Sequence, residues 1–278
     1  MVSVGLSKKR YSLRDVVRWT IQRRLTLTFF LLGMVILLFI FIPLAKILFS
    51  SGAGELWSQM LDSDVRNSIW LSVYTALIAT AVGLIFGVPL AYFLARHEFP
   101  GKRVIESLIE VPIVVPHIAA GIALLFVFGK LHFGGKIFDA FGISFVQEIP
   151  GIIIAMVFVS VPFLINSAKQ GFEEVDVRLE KVARTLGASP WQTFFRISLP
   201  LARRSIFGGS IMMWARSISE FGAVLVLTSS PPIASILVYR GLEMYGIDYV
   251  LPLVTLLMIT CLVIFVFLRI IYYRGKRA

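Results

Sequence analysis

The chain has 278 residues, of which 58% are hydrophobic and 15% are charged, and its formal net charge is +11. Soluble domains are typically about half apolar and a quarter charged, so this composition excludes an ordinary soluble domain and indicates an integral membrane protein. Cys261 is the single cysteine, which excludes an intrachain disulfide.

The N-terminal residues 1–26 are basic, and their apolar positions from Leu13 to Ile21 recur at helical spacing. Arg14 and Arg18 fall on the opposite face, which predicts an amphipathic helix on the cytoplasmic membrane surface. The apolar segment that follows is too long for the hydrophobic region of a signal peptide, so we expect it to remain as the first span.

Six segments are long and apolar enough to cross a bilayer, which takes about 20 residues in a helix. They comprise residues 27–49, 68–95, 108–128, 149–167, 205–228 and 250–271. Most Lys and Arg residues lie before the first segment, between the second and third, between the fourth and fifth, or after the sixth. This positive-inside distribution places both termini in the cytoplasm and explains the positive charge without a nucleic-acid partner. The sequence therefore predicts an all-α integral membrane protein with six transmembrane helices, and residues 27–278 form its transmembrane domain.

Residues 229–249 join the last two predicted spans on the outer side and begin with two serines and two prolines. The apolar run ASILVYRGLEMYG follows them. It fits either a short interfacial or re-entrant helix or an external docking surface, and the sequence leaves both alternatives open.

The cytoplasmic segment 172–200 is highly charged, unlike the apolar spans on either side of it. One helical face is formed by Phe172, Val175, Leu179, Val182, Ala183 and Leu186. This face predicts an amphipathic helix over residues 173–186, with the i,i+4 pairs Glu174–Arg178 and Glu180–Arg184 on its wet side. Gly187 then provides the left-handed conformation that commonly ends a helix.

A second helix is predicted over residues 190–196. Ser189 is a favoured N-cap, Pro190 fits the first helical position, and Gln192 completes a capping box. The aromatic side chains of this helix are Trp191, Phe194 and Phe195. Ordering an exposed segment costs about 1–2 kcal/mol per residue in backbone entropy, so such a helix needs something to pack against. The segment is therefore interpreted as a docking surface for a cytoplasmic partner, and an ordinary two-helix loop is the alternative.

The same segment resembles the signature loop of ABC importer permeases, EAA-x3-G-x9-I-x-LP. The matching positions are Ala183, Gly187, Ile197, Leu199 and Pro200. Lys181 stands where the pattern has Glu, Val182 stands where it has its first Ala, and Glu180 supplies an acid one position earlier. In that family the short helix after the glycine is the coupling helix, which sits in a groove of the ATPase subunit.

The resemblance implies a type I ABC importer permease fold in which residues 172–200 couple to a separate ATPase. It assigns ATPase coupling to Glu180, Ala183, Gly187, Ala188, Ser189, Pro190, Trp191, Phe194 and Phe195. The partners that it implies are two copies of an ATP-binding-cassette ATPase, a second copy of the permease, an extracytoplasmic binding protein and the lipid of a prokaryotic plasma membrane.

Two ionisable residues, Arg216 and Glu220, lie four residues apart within the fifth predicted span. Ionisable groups inside a membrane are costly and normally face a partner or a polar pathway. Two alternatives stay open: a mutual ion pair that only holds the bundle together, or a translocation pathway, formed with Ser219, in which Arg216 attracts an anion and Glu220 restrains its binding. His117 follows Pro116 and is interpreted as a packing or kink-capping residue. No HExxH spacing occurs, so no metal site is predicted.

The runs ISEFGA in the fifth span and EVPIVVPHIAAGIALL in the third resemble the oxyanion branch of ABC importer permeases. They are most similar to molybdate/tungstate permeases, and sulfate permeases have a similar EFG run. The resemblance implies a tungstate/molybdate importer that receives its anion from an oxyanion-binding protein, with a sulfate/thiosulfate permease as the alternative.

An enzyme is not expected, because the chain has neither a Walker A motif nor a nucleophile–base–acid set, and no cofactor is predicted. ATP hydrolysis is assigned to a separate subunit. The rival from another class is a secondary transporter, which would usually show two repeated halves and would not need the docking segment.

Overall fold

A computed structural model describes the backbone of residues 13–274 and the side chains of residues 24–272. Within residues 13–274 the regular structure is helical throughout, as the sequence predicts. The chain divides into two compact units, residues 1–50 and residues 51–278.

The first unit contains helix α1 (Leu13–Leu48), in which the predicted amphipathic segment and the first span are one continuous helix. Its stretch Arg24–Leu48 is long and apolar enough to span a membrane. The predicted amphipathic face from Leu13 to Ile21 lies outside the described side chains and stays a prediction.

The helices of the second unit are α2 (Ala53–Leu61), α3 (Ser63–Arg96), α4 (Lys102–Val114), α5 (His117–Phe128), α6 (Phe133–Asp139), α7 (Ile149–Glu173), α8 (Val177–Thr185), α9 (Pro190–Thr193), α10 (Leu199–Ile218), α11 (Gly222–Leu227), α12 (Ala234–Tyr245) and α13 (Ile247–Arg274). A π-helical segment (Phe194–Ser198) joins α9 to α10.

Among the described residues, four helical stretches are long and apolar enough to cross a membrane by themselves. They are Arg24–Leu48, Ser63–Arg96, Ile149–Glu173 and Ile247–Tyr272. Helices α4 and α5 reach this length only together, and they are bent by 115°. The prediction of six transmembrane helices is therefore not confirmed: the third segment reaches spanning length only as a bent pair, and the fifth is divided between α10 and α11.

Each break has a local cause. Val115 precedes Pro116, whose ring disfavours helical backbone at the residue before it, and Val115 is extended with φ −69° and ψ 134°. The fifth segment breaks after Ile218, where the Glu220 carboxylate accepts the Ala223 N–H at 3.0 Å. This side chain satisfies one of the free N–H groups of α11, so a new helix begins there inside the predicted span.

Helix α7 lies at the centre of the second unit and packs against α3 and α10. Small residues allow close approach: a Cβ on Gly209 would lie 2.7 Å from the Ser167 Cβ, and one on Gly83 would lie 2.5 Å from the Met213 Sδ. Trp214 of α10 is buried in the same core. Tight packing on α7 thus fixes α10 between the two sites described below.

The 229–249 segment forms α12 after a cis Ser230–Pro231 peptide bond. Ala234 and Ile236 are buried in the core, whereas Met244 is 72% exposed. The segment is therefore a helix with one buried face and one exposed end.

Candidate functional site

The charged segment between α7 and α10 begins with a break that the sequence did not predict. Helix α7 ends at Glu173, Val175 turns into the core, and the Asp176 carboxylate accepts the Arg178 N–H at 2.8 Å as the N-cap of α8. The predicted helix over 173–186 is therefore shortened to Val177–Thr185.

The end of α8 and the start of α9 follow the prediction. Gly187 has φ +92°, and the Ala188 N–H donates to the Ala183 carbonyl at 3.0 Å, which is the hydrogen bond of a Schellman cap. The Ser189 hydroxyl accepts the Gln192 N–H at 3.2 Å, and the Gln192 side chain accepts the Ser189 N–H at 2.8 Å. The predicted capping box is confirmed.

The short second helix does not end at residue 196. Helix α9 continues through the π-helical segment, where the Leu199 N–H donates to the Phe194 carbonyl, and then into α10. Pro200 has no N–H to donate, so the regular hydrogen bonding of the helix is interrupted at this residue. The wider π turn lies just before this interruption. Residues 190–218 thus form one continuous helical path from the charged segment to the core.

Apolar side chains project from this segment into solvent. Leu186 is 82% exposed and Trp191 is 73% exposed, and Trp191 stacks on Phe195 with their centroids 6.0 Å apart. Phe194 instead turns inward, with its ring centroid 4.9 Å from that of Tyr92. Between α3 and α9 lies an apolar groove of about 520 Å³. Of the remaining predicted coupling residues, Gly187, Ser189 and Pro190 are exposed, and Ala183 and Ala188 are half-buried.

The prediction for Glu180 is wrong in one respect. Glu180 does not lie on the wet side with Arg184 but is 8% exposed and pairs with Arg96 of α3. The Arg96 Nε and Nη2 atoms both lie 2.8 Å from the Glu180 Oε1. A local helical pattern cannot reveal this pair, because its members are 84 residues apart in the sequence.

A second cluster forms where the two broken spans meet. Glu220 is 1% exposed, and its Oε2 accepts a hydrogen bond from the Arg216 Nη2 at 2.8 Å. The same Nη2 lies 2.7 Å from the His117 Nε2, and the Arg216 Nη1 donates to the Ser219 hydroxyl at 3.3 Å. The structure thus brings the three predicted pathway residues together and adds His117, which sequence reasoning had assigned to packing. The proline directly before His117 was the available indication, because it breaks the third span at this point.

Glycines allow the two broken spans to approach each other. A Cβ on Gly222 would lie 2.9 Å from the His117 Cβ and 3.1 Å from the Ile118 nitrogen. A Cβ on Gly121 would lie 2.8 Å from the Ala223 carbonyl oxygen. Side chains at either position would push α5 away from α11, so these glycines hold His117 next to Arg216.

The cluster faces an open cavity of about 560 Å³. Its lining residues are Pro116, His117, Ile118, Arg216, Ser219, Glu220, Phe221 and Gly222. The Glu220 side chain is closed off, whereas the side chains of Arg216 and His117 are 22% and 41% exposed. The arrangement presents hydrogen-bond donors of a cation to the cavity and keeps the balancing carboxylate behind them.

The family described as "Binding-protein-dependent transport system inner membrane component" matches residues 83–277. The chain is 41% identical over 249 residues to the molybdate/tungstate transport system permease protein WtpB of Pyrococcus furiosus, covering 89% of this chain and 95% of that protein. It is 33% identical over 239 residues to the probable sulfate transport system permease protein cysT of Chlorokybus atmophyticus, covering 83% of this chain and 80% of that protein.

Among solved structures, the fold is similar to a chain of a bacterial alginate ABC transporter in complex with alginate pentasaccharide-bound periplasmic protein. The TM-score is 0.68 at 17% identity, over 93% of this chain and 98% of that one. At this identity the likeness concerns the fold, and it confirms the predicted importer permease fold. The chain therefore belongs to the family of binding-protein-dependent transport system inner membrane components, the multi-pass membrane subunits of ABC importers, which are distinct from the subunits that hydrolyse ATP.

Proposed function

We propose that this chain is the permease subunit that forms the translocation pathway of an ATP-driven importer for molybdate or tungstate. The observation that carries the proposal is the His117–Arg216–Glu220 cluster, which faces an open cavity at the meeting point of two broken spans. The 41% identity to a permease named for molybdate/tungstate transport supports this choice of anion.

The cluster suits a tetrahedral dianion that must pass rather than stay. The guanidinium of Arg216 is always charged and has more N–H groups than Glu220, His117 and Ser219 engage, so it attracts an oxyanion and keeps a donor for one of its oxygens. Glu220 lies 2.8 Å from it and offsets its positive charge, so an anion in the cavity is attracted but not held tightly. The hydroxyl of Ser219 adds a neutral group on the exposed side.

The exposed apolar surface of the 172–200 segment suits the docking of an ATPase subunit. Its short helix is stiffened by the capping box and continues directly into α10. Trp191 and Phe195 stack in solvent, where a partner groove would cover them. Lys181 is exposed at the position of the signature acid, so we expect the ATPase contact at this point to involve a positive charge.

The assembly that follows has two copies of the permease, two ATPase subunits and an extracytoplasmic oxyanion-binding protein in a prokaryotic plasma membrane. Both termini and the 172–200 segment lie in the cytoplasm, which the concentration of Lys and Arg in those segments supports. The cavity at Arg216 then lies along the route between the binding protein and the cytoplasm.

A sulfate permease is the second candidate, because the relative named for sulfate transport is 33% identical over most of the chain. Sulfate, molybdate and tungstate are all tetrahedral dianions, and the cluster offers no contact that favours one of them. The higher identity of the molybdate/tungstate relative decides the order of the two candidates.

Reconstitution in liposomes tests the proposal. The permease is combined with its ATPase and with the binding protein loaded with molybdate, tungstate or sulfate, and anion uptake is measured with and without ATP. We expect ATP-dependent uptake of molybdate and tungstate. Uptake without the ATPase subunit would support a secondary transporter instead, and uptake of sulfate alone would support the second candidate.

A further inference from the structure

The buried carboxylate of Glu180 joins three separate parts of the chain. Its Oε1 accepts hydrogen bonds from the Arg96 Nε at the end of α3 and from the Ser198 hydroxyl of the π-helical segment, each at 2.8 Å. Its Oε2 accepts a hydrogen bond from the Tyr92 hydroxyl at 3.3 Å. The Arg96 Nη2 also donates to the Val175 carbonyl at 3.0 Å, just after the end of α7. We call Glu180, Arg96, Tyr92 and Ser198 the Glu180 junction.

The Glu180 junction is closed to solvent. The side chains of Arg96 and Glu180 are 8% and 10% exposed, and Ser198 is fully buried. A buried ion pair is often no more stabilising than apolar residues of the same volume, because both charges lose their hydration. What such a pair does provide is a fixed geometry, since the carboxylate has one set of donors that satisfies it. The junction therefore fixes α8 against the ends of two spans rather than adding general stability.

The junction lies at one end of a helical connection to the His117–Arg216–Glu220 cluster, which we call the pathway cluster. Ser198 immediately precedes α10, and Arg216 lies near the other end of that helix. A helix of 20 residues is about 30 Å long, so a displacement at Ser198 is transmitted over that distance if the helix moves as a unit. Trp214 and Met213 pack α10 against α3 and α7 in the core, so a displacement at Ser198 would move α10 together with these helices.

We propose that Glu180 is a positioning residue. It transmits movement of the exposed apolar surface of the 172–200 segment to α3 through Arg96 and to α10 through Ser198. This inference rests on the proposed function, because it requires an ATPase subunit on that surface. It also gives the acid of this loop a role that differs from direct contact with the ATPase, since Glu180 faces the interior of the permease.

The test compares Glu180→Gln with Glu174→Gln in the complete importer in liposomes. Gln keeps the shape of the side chain but removes the charge that Arg96 balances, whereas Glu174 is an exposed acid in the same segment. The readout is the stimulation of ATP hydrolysis by the anion-loaded binding protein, measured per assembled complex. We expect Glu180→Gln to lower this stimulation about tenfold, which is within the usual range of coupling between sites. Glu174→Gln should leave it unchanged.

Normalising to assembled complex separates transmission from stability. If Glu180→Gln yields less complex but each complex is stimulated as in the wild type, the junction is only structural and the inference is overturned. Ser198→Ala gives a milder second test, because it removes one donor to Glu180 and leaves the ion pair intact. We expect a smaller loss of stimulation, and normal stimulation in both variants would overturn the inference. Absence of ATP-dependent uptake in the wild type would instead contradict the proposed function.

Discussion

In the part of the chain whose side chains are described, two buried carboxylates are each paired with an arginine, and their surroundings differ. At the Glu180 junction both partners are closed off, with side-chain exposures of 8% for Arg96 and 10% for Glu180. At the pathway cluster Glu220 is 1% exposed, but its partner Arg216 is 22% exposed and lines an open cavity. We therefore propose two purposes for the same chemical pair: the closed Arg96–Glu180 pair fixes the position of helices, and the half-open Arg216–Glu220 pair offers a cation to a passing anion.

Neutralising both members of each pair gives the largest expected effects and tests this comparison directly. The double variant Arg216→Gln/Glu220→Gln leaves no buried charge without a partner, so the complex should still assemble. We expect anion uptake to fall by about 30-fold or more, because the charge-assisted contact to the anion is lost. Stimulation of ATP hydrolysis by the binding protein should persist.

The matched double variant Arg96→Gln/Glu180→Gln should behave differently in the same assay. It leaves the pathway cluster intact but removes the ion pair of the junction, so stimulation of ATP hydrolysis should be lost together with uptake. Equal loss of assembly and uptake in the Arg216 variant would instead favour the alternative in which Arg216 and Glu220 only hold the bundle together.

Gly222→Ala is expected to reduce anion uptake by an intermediate amount, because the added methyl group displaces His117 from its position next to Arg216. The added Cβ would lie 2.9 Å from the His117 Cβ and 3.1 Å from a backbone nitrogen, so α5 and α11 must separate. Forced insertion of a methyl group into a tight interface typically costs about 1–3 kcal/mol.

Gly208→Ala is the control for Gly222→Ala, because its Cβ would lie 3.7 Å from the nearest side-chain atom, an ordinary contact. Uptake per assembled complex should fall in the Gly222 variant and stay normal in the Gly208 variant. A normal rate in both would show that the position of His117 next to Arg216 does not matter for transport.

Substitutions of Gly187 test the exposed part of the 172–200 segment, which also contains Glu180. Apart from its own chain neighbours, no described residue has a heavy atom within 4 Å of a Cβ at this position, so its φ of +92° is the reason for glycine rather than lack of space. Left-handed backbone costs about 1–2 kcal/mol for an ordinary residue and less for Asn. We expect thermal stability and stimulation of ATP hydrolysis to fall in the order Gly, Asn, Ala, Val. Equal values for Asn and Val would contradict a requirement for the left-handed conformation.

The contrast between the two regions also explains which features the sequence could predict. Gly187 and the Ser189–Gln192 capping box depend on neighbouring residues, so the local pattern was sufficient and both are confirmed. Glu180 was placed on the wet side because its i,i+4 neighbour is Arg184, whereas its actual partner, Arg96, is distant in the sequence. A tertiary contact of this kind leaves no mark on helical periodicity.

The predicted spans show the same limit of local sequence patterns. Counting apolar residues predicted the third and fifth segments as single spans, but hydropathy alone does not locate their breaks, which depend on Pro116 and on the carboxylate of Glu220 capping α11. His117 was missed because its partner Arg216 is 99 residues away, and only the meeting of the two breaks brings them together.

The smallest expected effect concerns Lys181, which occupies the position of the signature acid on the exposed side of the same helix as Glu180. Lys181→Glu should leave thermal stability nearly unchanged, because an exposed substitution typically alters it by less than about 0.5 kcal/mol. If the ATPase contacts this position, reversing the charge should weaken its association by a few-fold, and the loss should diminish at high salt because exposed charges are screened. Association is measured by titrating the ATPase onto the permease in nanodiscs, with Lys181→Gln as the neutral control of intermediate affinity. Unchanged affinity at low salt in both variants would place Lys181 outside the contact and leave the neighbouring aromatic surface of Trp191 and Phe195 as the main docking site.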